Sequence, residues 1–117
     1  MKIRIKNLRL RTIVGVYGRE QKNPQEVVVN VEMETDGHKA AESDDLTDSV
    51  DYKALKLRLL EEVQNSRYKL LERLASHVLK MVLSDDKVLS ATVEVDKPHA
   101  LRFADSVSVV CTGQRRP

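Results

Sequence analysis

Tryptophan is absent from this chain of 117 residues, and one phenylalanine and three tyrosines make up its aromatic content of 3%. The core must therefore be aliphatic, and so few aromatics argue against a stacking surface for single-stranded nucleic acid. A single cysteine, Cys111, rules out an intramolecular disulfide and suits a reducing compartment. No apolar run approaches membrane-spanning length, and the opening Met1-Lys-Ile-Arg-Ile5 lacks the apolar stretch of a signal peptide. A cytoplasmic protein without membrane partners is expected. The net charge of +2 is too small to imply nucleic acid, a role that would rest on Arg9, Arg11, Arg115 and Arg116. A metal signature is missing as well: His38, His77 and His99 lie far apart, outside any His-x-x-x-His or Cys-x-x-Cys spacing. Gly15 and Gly18 are a weak echo of a phosphate loop. The chain has no internal repeat and no low-complexity segment.

What remains is regular patterning over the length of one domain, residues 1–117, with a tail from Gly113. Lys2 to Arg11 alternates like a strand, with Ile3 and Ile5 on one face, Leu8 and Leu10 after a break, and a bulge expected near Asn7. Val14 to Pro24 reads as a loop. Glu26 to Glu34 is the clearest strand, with Val27, Val29, Val31 and Met33 facing inward. Thr35 to Asp51 is polar and acidic, a connection with at most a short helical turn. Helices are predicted over Asp51–Asn65, with Leu55, Leu59 or Leu60, and Val63 buried, and over Leu70–Leu83, with Leu70, Leu71, Leu74, Ala75, Val78, Leu79 and Val82 at helical spacing. Val88–Asp96 and Asp105–Thr112 complete a ββααββ order, with Cys111 on the apolar face of the last strand. The expected fold class is α+β, two helices covering one face of a four-stranded antiparallel sheet. Its other face carries Lys2, Arg4 and Lys6 on one strand, Asn30, Glu32 and Glu34 on the next, and Thr92, Glu94 and Asp96 on the third. Such a face tolerates water, either as open surface or as the wet lining of an oligomeric ring. The exposed edges of so small a sheet invite pairing with another subunit.

Chemistry is suggested by residues at element boundaries. Lys97 ends the third strand just before Pro98, with His99 and Arg102 on the turn that follows. A lysine held there, partly shielded from water, can have a lowered pKa and move protons. Glu20 lies in the first loop, Tyr52 opens the first helix and Glu72 falls in the first turn of the second. Each also has a plain structural explanation: a solvated loop charge, a ring packed at a helix start, a carboxylate complementing the helix dipole, a turn cation. So short a chain has little material for a deep private pocket, so a small-molecule cleft would be shared between subunits.

Gly15-Val-Tyr-Gly-Arg-Glu-Gln21, Asp44-Asp-Leu-Thr-Asp-Ser-Val-Asp-Tyr52, Leu70-Leu-Glu-Arg-Leu-Ala75 and Val95-Asp-Lys-Pro98 together resemble the dihydroneopterin aldolase family, in order and over nearly the whole chain. The resemblance implies a tunnelling fold. Four subunits join their sheets into a barrel, two rings commonly stack into an octamer, and the sites lie between subunits. It implies a dihydropterin substrate, no cofactor, no metal and no Schiff base. Lys97 would be the proton relay, acting through a water. Tyr52 of a neighbouring subunit would handle the proton at C1', and Glu72 would grip the 2-amino/N3 edge of the pterin, with the Leu71 backbone nearby. Glu20 would hold side-chain hydroxyls and tune Lys97.

The family holds two close activities, and marks of both are present. Ile3 to Thr12 and Asp96 to Ser108 resemble the dihydroneopterin triphosphate 2'-epimerase, whereas Gly15-Val-Tyr17 and Val50-Asp-Tyr52 resemble the aldolase. The epimerase substrate ends in a triphosphate, and His99 and Arg102 offer groups to hold it. Pairing of Arg102 with Asp105 would remove that argument. The epimerase is the expected activity, with the aldolase as alternative. A third reading, of another class, is a non-catalytic pterin- or purine-binding oligomeric module, against which the intact set Glu20, Tyr52, Glu72 and Lys97 speaks.

Overall fold

A computed structural model describes residues 1–115; the end of the expected tail, 116–117, lies outside the described residues. Strand β1 (Lys2–Val14) and strand β2 (Gln25–Thr35) are antiparallel. Helix α1 (His38–Ser43) and a 3-10 turn (Leu46–Asp48) lead to helix α2 (Tyr52–Gln64). A two-residue strand β3 (Arg67–Tyr68), helix α3 (Leu71–Leu83), strand β4 (Val88–Pro98) and strand β5 (Ser106–Gln114) follow. The sheet order is β3-β1-β2-β4-β5.

The α+β reading holds, with three departures. The sheet has five strands, because Arg67 and Tyr68 pair in parallel with Ile13 and Val14. Two residues carry no periodicity, so β3 leaves no pattern to read. The 35–51 connection holds a six-residue helix and a 3-10 turn rather than one short turn, and α1 buries none of its residues, which is why no apolar period marked it. Gly113 and Gln114, expected in the tail, continue β5 opposite Ala91 and Ser90.

Alternation on β2 puts Val27, Val29, Val31, Met33 and Thr35 on the helix-covered face, all buried. Val93 and Val95 of β4 are fully buried beside them. Asp51 caps α2 by accepting the Ala54 N–H at 3.0 Å, and Leu55, Leu59 and Val63 form its buried stripe. Helix α3 buries Leu71, Leu74, Ala75, Val78, Met81 and Val82. Leu70, expected in that stripe, precedes the first turn with extended backbone and is exposed. His77, expected on the helix surface, is half-buried between the Tyr68 hydroxyl, 2.9 Å from Nδ1, and Glu62, 3.1 Å from Nε2. No helix among the described residues is long and apolar enough to cross a membrane.

On the uncovered face Arg4 lies opposite Glu32 and binds it at 2.8 Å, with Lys2 3.7 Å from the same carboxylate. Glu94 and Asp96 gain no such partners among the described residues, because β4 neighbours β2, whose face carries Asn30 and Val28 opposite them. The bulge falls between Ile5 and Leu8, where Asn7 takes φ 53°. Its N–H donates to Asn30 Oδ1 at 2.8 Å, and Asn30 Nδ2 donates back to Asn7 Oδ1 at 3.3 Å. Asparagine tolerates the left-handed conformation, while a β-branched residue there is strained. Asn7→Val should therefore lower unfolding free energy by about 1–3 kcal/mol, and Asn7→Gly by less, as read from urea denaturation.

Candidate active site

Lys97 continues the inward alternation of Val93 and Val95, so its side chain leaves the core edge on the helix-covered face. There it forms an ion pair with Glu20 Oε2, both side chains being largely shielded. The loop between β1 and β2 is shaped to deliver that carboxylate. Glu20 Oε1 accepts the Tyr17 N–H at 3.3 Å, and Oε2 accepts from Gln25 Nε2 at 3.5 Å. Gln25 Nε2 also donates to the Val14 carbonyl at 3.2 Å, tying the two ends of the loop together. Gly15 has φ +150°, and a Cβ built on it would collide with the Glu20 side chain. Gly15 thus serves close packing of the carboxylate, rather than a phosphate loop.

The same loop is fastened to β3. The Gly15 N–H donates to the Tyr68 carbonyl at 3.0 Å, and Gln21 Nε2 donates to the Gly15 and Tyr68 carbonyls. Leu71 and Glu72 follow β3 directly as the first turn of α3. Cys111 Sγ contacts the Ala75 carbonyl at 3.5 Å, and Gly113 faces Leu79 and Leu83, so α3 runs in the same direction as β5. The start of α3 therefore lies toward the start of β5, where Val107 and Ser106 pair with Lys97 and Pro98. Glu72 is exposed at this end of the sheet, with no hydrogen bond or ion pair among the described residues.

Tyr52 is elsewhere. The Thr12 hydroxyl donates to the Val63 carbonyl at 2.6 Å, which fixes the last turn of α2 near the loop end of β1. Tyr52 lies eleven residues earlier, about 16 Å along the helix axis. Its N–H bonds to Val50, which shares a cavity with Met1, Ile3 and Leu89 at the opposite end of the sheet. Tyr52 is 55% exposed and lines a separate cleft with Asp44, Asp45 and Asp51. One protomer therefore does not bring Tyr52 to Lys97.

His99 (φ 61°) lines a cleft of about 470 Å³ with Tyr17, Arg19, Glu20, Asn23, Gln25 and Ala100. Arg102 is exposed and is not among the residues lining that cleft; it forms no ion pair with Asp105. Arg19 and Gln25 were not singled out by sequence reasoning. Spacing alone does not distinguish Arg19 from other loop cations, whereas Gln25 opens β2 only five residues after Glu20 and could have been suspected.

Lys97, through its hydrogen bond first, holds the Glu20 carboxyl below the usual glutamate value of 4.5, aided by the Tyr17 N–H against some desolvation. The pair's stabilisation is present above 4.5 and is lost as pH falls through the depressed value. Thermal unfolding followed downward from neutral pH should show wild type losing Tm through the acid range. The Tm gap between wild type and Glu20→Gln should narrow there, although Glu32, Asp48 and Asp86 titrate in the same direction in both proteins.

Residues 3–112 match the family described as FolB, dihydroneopterin aldolase. The dihydroneopterin triphosphate 2'-epimerase of Escherichia coli is 43% identical over 97% of this chain and 94% of its own length. That of Pseudomonas aeruginosa is 40% identical over 97% and 93%. The dihydroneopterin aldolase of Escherichia coli is 33% identical over 91% and 87%. A crystal structure of Escherichia coli dihydroneopterin aldolase in complex with neopterin superposes with a TM-score of 0.92 at 31% identity, covering 97% of this chain and 98% of that one. The fold, from the Glu20 loop to the Lys97 strand end, is the one these proteins share, and this chain belongs to the dihydroneopterin aldolase (FolB) family.

Proposed function

We propose that the chain is an enzyme acting on a dihydropterin, a dihydroneopterin triphosphate 2'-epimerase. The observation that carries the reading is the shielded Glu20–Lys97 pair, set at the same sheet end as the unpartnered Glu72. The higher identity to epimerases (43% and 40%) than to the aldolase (33%) supports the choice between activities.

The reaction needs a base, an electron sink and a grip on the ring. Removal of the 2'-hydroxyl proton lets the C1'–C2' bond break. Its electron pair enters the C6=N5 imine of the dihydropterin, leaving an enamine and a free aldehyde. The substrate is its own sink, so the protein supplies proton transfer and position. Lys97 is the proton relay: the 2'-hydroxyl proton passes through a water to its amine, and Glu20 holds the ammonium so formed and accepts side-chain hydroxyls. The Glu72 carboxylate receives the 2-amino and N3 hydrogens in a paired bond beside the Leu71 backbone. Re-addition of C1' to the opposite face of the aldehyde inverts C2' and returns the proton. Protonation of C1' instead, with Tyr52 as the proton handler, releases the aldehyde, which is the aldolase outcome. His99, which lines the Glu20 cleft, would hold a phosphate that keeps the fragment from leaving. Arg102 stands outside the cleft lining and is a weaker candidate for that role.

Because Tyr52 and Lys97 sit at opposite ends of one protomer, the complete site is built between subunits of a ring, tetrameric or octameric. Three measurements test this reading. The protein incubated separately with dihydroneopterin and with its triphosphate should give chiefly the monapterin epimer from the triphosphate. Chiefly hydroxymethyl-dihydropterin from either would establish the aldolase instead. Lys97→Ala should lose about two orders of magnitude or more in kcat. Mixed oligomers refolded from Lys97→Ala and Tyr52→Phe subunits should regain the aldolase side reaction, cleavage of dihydroneopterin, at about a quarter of their sites, as random heterologous assembly dictates. No regain would place both residues' roles within one subunit or outside catalysis.

A further inference from the structure

We propose that Arg19, which lines with His99 the cleft beside the Glu20–Lys97 pair, is the residue that makes this site select a phosphorylated side chain; the inference rests on the dihydropterin reading above. The cleft of about 470 Å³ is lined by Tyr17, Arg19, Glu20, Asn23, Gln25, His99 and Ala100. Its one acidic side chain is Glu20, whose charge is already answered by Lys97. Arg19 is exposed and forms no ion pair among the described residues, so its guanidinium is left over as uncompensated positive charge. Asn23 and Gln25 add neutral amides, and His99 adds an imidazole. That donor-rich composition suits a polyanion.

The loop also holds Arg19 in place. Its carbonyl accepts the Asn23 side-chain amide at 2.9 Å and the Lys22 N–H at 3.3 Å, while the next residue, Glu20, is pinned by Lys97. The cleft near Tyr52 has the opposite character, with Asp44, Asp45 and Asp51 against Lys53. No residue of β3 or of the first turn of α3 lines the Arg19 cleft, so phosphate held there does not compete with a pterin edge at Glu72.

The test compares KM for dihydroneopterin triphosphate with KM for dihydroneopterin in wild type, Arg19→Ala, Arg19→Lys, Arg102→Ala and Lys22→Ala. Lys22 is an exposed cation of the same loop that does not line the cleft. Arg19→Ala should raise KM for the triphosphate about tenfold while leaving KM for dihydroneopterin within about twofold. Arg19→Lys should recover part of the loss, Lys22→Ala should change neither constant, and the Arg19 effect should shrink as salt is raised. A merely structural role would raise both constants together. If wild type prefers the triphosphate and Arg19→Ala keeps that preference, or if Arg102→Ala alone abolishes it, this inference is overturned and the epimerase reading stands. If wild type shows no preference for the triphosphate, both fall.

Discussion

One-sided burial of β2 is the constraint on which everything else rests. Val27, Val29, Val31, Met33 and Thr35 are buried beneath the helices, while the intervening residues face the uncovered side. A shift of register by one residue would expose all five, so the register is strongly specified, and with it that of β1 and β4 on either flank. The consequence reaches the chemistry. Lys97 is inward because Val93 and Val95 are, and it lies opposite Val107 because the pairing that buries Val95 continues to the strand end. The side chain proposed as the proton relay has been placed by the hydrophobic effect acting a few residues upstream.

The site end of the sheet gathers what the sequence scatters. The β1–β2 loop brings Glu20, the end of β4 brings Lys97, and β3 brings the first turn of α3. Gln21 and Gly15 bind the loop to β3, and Gly15 leaves the space that Glu20 fills. The fastening of the loop to β3 and the space left by Gly15 thus bring the carboxylate to the ammonium, with the Tyr17 N–H and the Gln25 amide donating to it. Glu72 has no hydrogen bond or ion pair among the described residues. The separation of Tyr52 from Lys97 follows from the same architecture, since α2 spans the sheet and leaves Tyr52 at its far end.

The two β strands of each end and the two longer helices were legible because each repeats its period several times. Even the bulge at Asn7 showed as a break in alternation. What escaped was short or polar: β3, with two residues, and α1, which buries none of its own. In the site, Glu20, Tyr52, Glu72 and Lys97 were marked by their position at element boundaries and Leu71 by the family resemblance; the structure brings all but Tyr52 to one end of the sheet. Arg19 went unmarked, because a loop arginine carries no pattern until something shows which cleft it faces.

By itself the sequence determined the α+β class, which faces are buried and the family, since these follow from periodicity and from motifs in order along one chain. The family resemblance implied that Glu20 tunes Lys97, but tertiary structure alone decided how the two meet across 77 positions, that Arg19 rather than Arg102 lines the cleft beside them, and how far Tyr52 stands from them in one protomer. The physical reason is that local pattern fixes only direction and burial. Distances between side chains far apart in sequence depend on strand register, loop closure and helix length, which are settled only when the whole sheet is assembled.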